Sequence, residues 1–369
     1  MQTKSRFNPD SPEIKKYEEE LTHQFVREGT MVAFPTCLPG MTTPIIHDEC
    51  RITALDINTE RQIYGGTSGR RAHLFAARFH GLTGVVLDVG VVDGGTNSVA
   101  VCCGKSGAMA FVNGARGGRA IAIPNIDLAQ DWIQEWGMDP LALQDFGECV
   151  PGEALVHAIS GPSPSTLIGT TTGHLFTIEA ESGKVTVIGE VPGRGQLVMT
   201  SAGAFGQDDG ARLWHLDLAS GKIRRAAVDL PQGEWTGPLR WARGGDADQL
   251  FTADAAGHLF SFGADRKFRS LGRTHLAPVG PMAISPDGRL FGFCGEEMAN
   301  LFCCDVSSGN VSNLGVAASV LERRRYGYVF GDAVTGPEGE IVFGEDDNDG
   351  HLWLYFPKIR RVPHTSVSG

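Results

Sequence analysis

The chain lacks any apolar run near the 18 or more residues of a membrane span. Its opening, Met1-Gln2-Thr3-Lys4-Ser5-Arg6, is followed by Asn, Pro and Asp, without the apolar core of a secretory signal, and none is expected. Basic residues are not in excess. With 43 acidic against 32 basic side chains the formal charge is -11, which disfavours general affinity for nucleic acid or an anionic membrane surface. Cysteine is sparse, at 8 of 369 residues, and includes the neighbours Cys102-Cys103 and Cys303-Cys304. Neighbours on a strand point to opposite faces, so neither pair readily bridges itself or grips one metal. Reduced, buried thiols and a cytoplasmic protein are expected.

Glycine is plentiful, at 49 residues, with 19 prolines. That is too much for a helical protein and suits a chain that turns every few residues. A short motif organises it: Gly257-His258-Leu259-Phe260 recurs as Gly173-His174-Leu175-Phe176, as Gly350-His351-Leu352-Trp353 and, without glycine, as Ala72-His73-Leu74-Phe75. Looser copies begin at Ala108, Arg212 and Asn300, so seven copies follow one another at intervals of 35 to 66 residues. This is the spacing of propeller blades, each a four-stranded sheet. The expected fold is all-β: a seven-bladed β-propeller with a short N-terminal helix and a helical insertion in the second blade.

Residues 1–29 are expected to form a helical cap, because Ile14, Tyr17, Leu21 and Phe25 recur at helical spacing after Ser11-Pro12-Glu13. Residues 30–361 would be one propeller, with a strand near 30–34 supplying the strand that the last repeat lacks, and 362–369 a flexible tail. The longest interval contains Ile126 to Gly137, with Trp132, Ile133 and Trp136 on one side, and reads as the inserted helix. The units Glu181-Ser182-Gly183-Lys184, Ala219-Ser220-Gly221-Lys222 and Ser285-Pro286-Asp287-Gly288-Arg289 are turn chemistry and belong to the scaffold.

These turns and the Gly-His-Leu-Phe strands resemble those of seven-bladed propellers of the quinoprotein-like, lactonase-like and sugar-cleaving types, over residues 50–357. No blade ends in Trp-Asp, which speaks against a WD40 scaffold, and no kelch pattern is present. The stretch Tyr326 to Pro357 is similar to that of propellers acting on polysaccharides as lyases or glycosidases. The resemblance implies a carbohydrate-active enzyme acting on an acidic oligosaccharide or polysaccharide.

Two stretches could carry such chemistry. Glu322-Arg323-Arg324-Arg325-Tyr326-Gly327-Tyr328 combines guanidinium groups, which bind carboxylates in two-pronged fashion, with rings that stack on a sugar or transfer a proton. Glu345, Asp347, Asp349 and Gly350 match the opening of an oxygen-ligand calcium loop, although position 356 is Phe where a closing acid is required. No cofactor is required; a divalent cation such as calcium is the one this loop could hold.

The leading expectation is a lyase that cleaves a uronic-acid-containing glycan by β-elimination. Tyr326, Tyr328, His275 and Arg325 would be catalytic, and Arg71, Arg324, Trp235 and Glu345 would bind substrate. The competing expectations are a non-catalytic propeller that binds a protein or glycan, and a cation-dependent lactonase using Glu345, Asp347 and Asp349. The repeated histidines His73, His174, His258 and His351 read as structural because repetition at one blade position marks scaffold. The sequence leaves the oligomeric state open.

Overall fold

A computed structural model of the chain describes residues 28–35, 45–80, 83–104, 107–126, 143–163, 165–208, 211–242, 248–320 and 325–358, with Pro12 and Leu128 as single residues. Every regular element of more than one residue among them is a β-strand. The expected cap helix and tail lie outside the described residues, as does the inserted helix apart from Ile126 and Leu128. No described helix is long and apolar enough to cross a membrane, which says nothing of β-barrels.

The strands form a β-propeller. Four sheets have four strands, one has three, and the remaining eight strands share one sheet. The repeated motif shows why the chain folds this way. Its apolar pair is adjacent rather than alternating, and both members are buried: Leu74 and Phe75, Leu175 and Phe176, Leu259 and Phe260, Leu352 and Trp353. A strand covered on both faces needs apolar residues on both, and blades stacked face to face provide that cover. Opposite the aromatic member, the neighbouring strand repeatedly carries glycine. Gly65 pairs with Phe75, Gly169 with Phe176, Gly206 with Trp214 and Gly292 with Phe302. Each ring lies over its glycine, where a Cβ would collide with it, so ring and glycine act as one cross-strand unit. Three of the outermost strands are more exposed instead. Val185–Glu190, Lys222–Asp229 and Phe268–Arg273 have no fully buried residue, and charge along an outer edge hinders pairing with another chain.

The chain closes on itself early to late. Gly29–Pro35 pairs antiparallel with His351–Pro357 along their whole length, Gly29 opposite Pro357 and Pro35 opposite His351. Met31 and Ala33 are buried there among Phe343, Trp353 and Tyr355. The described cysteines, among them Cys102, Cys103, Cys303 and Cys304, carry no disulfide bond.

Five sheets stand as separate blades where the sequence leads one to expect seven. The departure lies at the shortest repeat interval. There the strand Gln62–Ser68 meets Gly95–Gly104 through the pair Ser68–Asn97, which merges two runs of strands into the eight-stranded sheet. Gly66 permits the approach, since a Cβ on it would strike the Ser98 side chain. Thr53 and Asn97 both bond the Ser68 hydroxyl, at 2.6 and 2.7 Å. A second irregularity leaves one blade with three strands. Before Gln249–Ala253 an inner strand is due, but the segment from Pro231 to Arg240 is extended loop, with one bridge from Trp241 to Thr252. Prolines at 231 and 238 cannot donate to a ladder, and glycines at 233 and 237 weaken one further.

Candidate functional site

Two regions gather charged and aromatic side chains. The first is a polar seam where residues 47–51 meet residues 345–351. Glu49, with no exposed surface, accepts two hydrogen bonds from Arg71, both 2.9 Å, one from Arg70 at 2.9 Å, and lies 2.8 Å from His73 Nε2. The other imidazole nitrogen of His73 lies 3.0 Å from Asp88. The Arg71 bonds, chiefly, hold the Glu49 carboxyl down at about 2, against the effect of burial. Burial alone would lower the His73 pKa, but the bonds to Asp88 and Glu49 outweigh it and raise it.

Glu345 repeats this design. It too is fully buried, and its Oε2 receives Arg325 at 2.6 Å, the Trp353 indole at 3.1 Å and the His351 backbone N–H at 3.2 Å. Burial pushes its pKa up; His351 and Arg325 more than reverse this and leave it lowered. Arg325 also binds Asp349 at 3.0 Å. The two halves are joined directly. Arg51 pairs with Asp346 at 2.8 Å, and the Asn348 carbonyl accepts from Cys50 Sγ at 2.9 Å and lies 2.6 Å from His47 Nδ1. Gly350, at φ +31°, has room for no side chain, because a Cβ would run into the Cys50 carbonyl.

The remaining motif histidines follow the same rule. His174 lies 2.7 Å from Glu153, whose carboxylate also accepts from the Thr171 hydroxyl, and His258 lies 3.0 Å from buried Asp254. A carboxylate lies next to each motif histidine and ties the start of its strand to another part of the blade: Asp254 from the loop just before it, Glu345 from the end of the neighbouring strand, and Glu49 and Glu153 from loops two strands earlier. It recurs in four repeats and so belongs to the scaffold.

The second region is an open cavity of about 530 Å³ whose wall includes Glu234, Trp235, Arg240, Asp254, Glu296 and Phe330. It owes its existence to the missing inner strand. Without a ladder, the segment Trp235–Trp241 is held by side chains: Gln207 accepts from Leu239 N at 2.9 Å and donates to the Gly237 carbonyl at 3.3 Å. Gln196 accepts from Trp241 N at 2.8 Å, while its own backbone N–H donates to the Leu239 carbonyl at 2.8 Å. The Trp235 ring rests on Phe260 with centroids 5.5 Å apart, and its N–H donates to the Pro231 carbonyl at 2.7 Å. The ring is therefore fixed in orientation yet half-buried, with surface left for a ligand. Arg240 is exposed and donates one hydrogen bond, 2.9 Å, to the Gly331 carbonyl across the channel. Glu234 and Glu296 are exposed as well.

The residues expected from sequence divide between these regions. Arg325, Glu345, Asp347 and Asp349 come together in the seam, with Arg71 on its far side. Trp235 lines the cavity. Tyr328 is exposed at its margin, where its carbonyl receives the Ala299 N–H at 2.9 Å, and both Ala299 and Val329 line the wall. His275 is exposed in a loop, 3.9 Å from the Cys294 sulfur and three residues before Pro278 of the wall, without itself lining the cavity; partial burial lowers its pKa. Tyr326 is half-buried and bridges to Ala318. Arg324 lies outside the described residues.

The acidic loop, offered from sequence as a cation site, makes bonds of its own within the chain. Among the described residues no group of three or more His, Cys, Asp or Glu side chains is placed to hold a metal ion. Asp347 instead accepts from the backbone of Asp349 at 2.9 Å and Gly350 at 3.1 Å, closing a turn. Arg325 supplies the positive charge between Glu345 and Asp349.

Arg240, Gln196 and Gln207 escaped the sequence reading. The signal for them was the Pro-Gly interruption at 231–238, where the repeat calls for a strand. No protein-family model matches the chain, and no curated protein matches it.

Proposed function

We propose that the protein is a carbohydrate-handling propeller that takes an acidic oligosaccharide into the cavity beneath Trp235. One observation carries this reading: a fixed, half-buried tryptophan ring and an exposed arginine share the wall of a cavity of about 530 Å³, within the ~300–1,000 Å³ usual for ligand pockets. The apolar face of a sugar ring stacks on an aromatic ring. A planar guanidinium suits the carboxylate of a uronic acid, and the carbonyl bond to Gly331 leaves Arg240 with further N–H groups to offer.

The reaction that fits is β-elimination. Arg240 would neutralise the substrate carboxylate, a part that Arg325 and Arg71 are poorly placed to take while they bind Glu345 and Glu49. His275, neutral near pH 7 because burial lowers its pKa, would accept the proton from the carbon beside the carboxyl group. That electron pair becomes the new double bond as the bond to the glycosidic oxygen breaks, and Tyr328 would donate a proton to the departing oxygen. A second reading, binding without catalysis, is favoured by the commitment of Arg325 and Arg71 to internal carboxylates. We also infer that the eight-stranded sheet contains two repeats, which would make a ring of seven; Gln62–Ser68 and Gly95–Gly104 touch at one pair.

The test is a titration with a galacturonate hexasaccharide and a neutral glucan of equal length. The acidic chain is expected to bind, the neutral one to bind at least tenfold more weakly, and ultraviolet absorbance of the unsaturated product to separate cleavage from binding alone. Equal binding of both, or binding of neither, overturns the reading.

A further inference from the structure

The segment Trp235–Pro238 lines a second cavity as well as the first. This second space, of about 390 Å³, has Val156, Gly193, Arg194 and Gln207 on its other side. The shared segment is therefore a ridge with a hollow on each flank. It carries Arg240 toward the larger hollow and faces exposed Arg194 across the smaller one.

The two walls are mechanically linked. The stretch bearing Arg194 is laced to the ridge by Gln196, whose backbone donates to Leu239 and whose side chain accepts from Trp241. Gly195, at φ +60°, is pressed against the Leu239 backbone, where no Cβ fits. Gln207, itself buried, grips the ridge at Gly237 and Leu239 and also lines the smaller hollow. Gln196 thus ties the stretch bearing Arg194 to the one bearing Arg240, and Gln207 adds a second hold on the Arg240 side. Two cationic groups held at a set separation suit a ligand with negative charge at regular intervals.

We propose that the smaller hollow is a second binding subsite, and that the ligand is an extended polyuronate lying across the Trp235 ridge. One sugar carboxylate meets Arg240, and a carboxylate further along the chain meets Arg194. This rests on the acidic-saccharide reading of the larger cavity. It adds that affinity is set by chain length, because only a ligand long enough to cross the ridge engages both arginines; joining two sites through one ligand raises affinity without new contacts at either.

The experiment measures dissociation constants for a galacturonate disaccharide and a hexasaccharide with the parent protein, Arg194→Ala and Arg240→Ala. The parent is expected to bind the hexasaccharide at least tenfold more tightly than the disaccharide. Arg194→Ala should erase most of that gain and leave disaccharide binding within about twofold, whereas Arg240→Ala weakens both ligands. Arg194→Lys, which keeps the charge, should restore part of the gain. An unchanged hexasaccharide advantage in Arg194→Ala, or equal affinity of the parent for both lengths, overturns the second subsite while leaving the first intact. No binding of either ligand by the parent overturns the acidic-saccharide reading and the subsite with it. Both arginines are exposed, so unaltered melting of the variants separates lost contacts from lost fold.

Discussion

The seam and the cavity use the same residue types to opposite ends. Around Glu345 an arginine, a histidine and a tryptophan all turn inward on one buried carboxylate. Around the cavity, Arg240 and Trp235 each donate to one backbone carbonyl, Trp235 also resting on Phe260, and both line open volume. What separates them is how much of each polar group's bonding capacity the protein itself consumes. A buried charge whose partners are all internal holds the fold, and removing one partner leaves the other uncompensated. A surface charge with spare donors costs little to remove and has something left to offer a ligand.

The sharpest break in this comparison is the arginine exchange. Arg325→Ala strands Glu345 in the interior and is expected to lower stability by about 3–5 kcal/mol, whereas Arg240→Ala should change it by no more than about 0.5 kcal/mol. Chemical denaturation of the two variants reads this directly. Equal losses would mean that the seam is not the structural half.

Acid should dissolve the Glu49 half of the seam first. A lowered pKa contributes stability that is complete above the ordinary value of 4.5 and is lost as pH falls toward about 2. Because Arg70 and Arg71 are 67% and 50% exposed, solvent screening limits the contribution to about 2 kcal/mol. Glu49→Gln should therefore be less stable than the parent at pH 7, with the difference shrinking between pH 4.5 and 2. A constant difference across that range would show that the carboxylate is not ion-paired in solution.

Asp347 gives the smallest effect and the opposite sign. Burial, then the charge of Glu345, raises its pKa to about 6. A raised carboxyl pKa costs stability once the group ionises, so the protein should lose stability as pH rises from 3.8 through about 6. Asp347→Asn should gain on the order of 1 kcal/mol above pH 7, less what its turn loses, and flatten the profile below. A variant with the parent's pH profile would place the titration elsewhere.

Much of the fold was legible in the sequence because its repeat is written in short-range chemistry. Gly-His-Leu-Phe names a strand start, its two covered faces and, with the glycine opposite, the ring that fills the space between blades. The joined sheet was not legible, since the Ser68–Asn97 pairing depends on how closely two repeats approach rather than on either one's pattern. The site was legible in composition but not in placement. Arg325, Tyr326 and Glu345 stood out because charged and aromatic residues crowd together there, yet Arg325 and Glu345 are turned on each other in the interior. Arg240 sits alone among Pro, Gly and Leu, and only the failure of an expected strand points to it.

The central claim is that Trp235 and Arg240 face a ligand and the seam does not. Calorimetric titration of a galacturonate hexasaccharide into the parent, Trp235→Ala, Arg240→Ala and a conservative seam variant, Arg71→Lys, tests it most directly. The account predicts at least tenfold weaker binding, about 1.4 kcal/mol, for each cavity variant at unchanged melting temperature, and parent-like affinity for Arg71→Lys. Parent-like affinity in both cavity variants, or loss of binding confined to the seam variant, would contradict it.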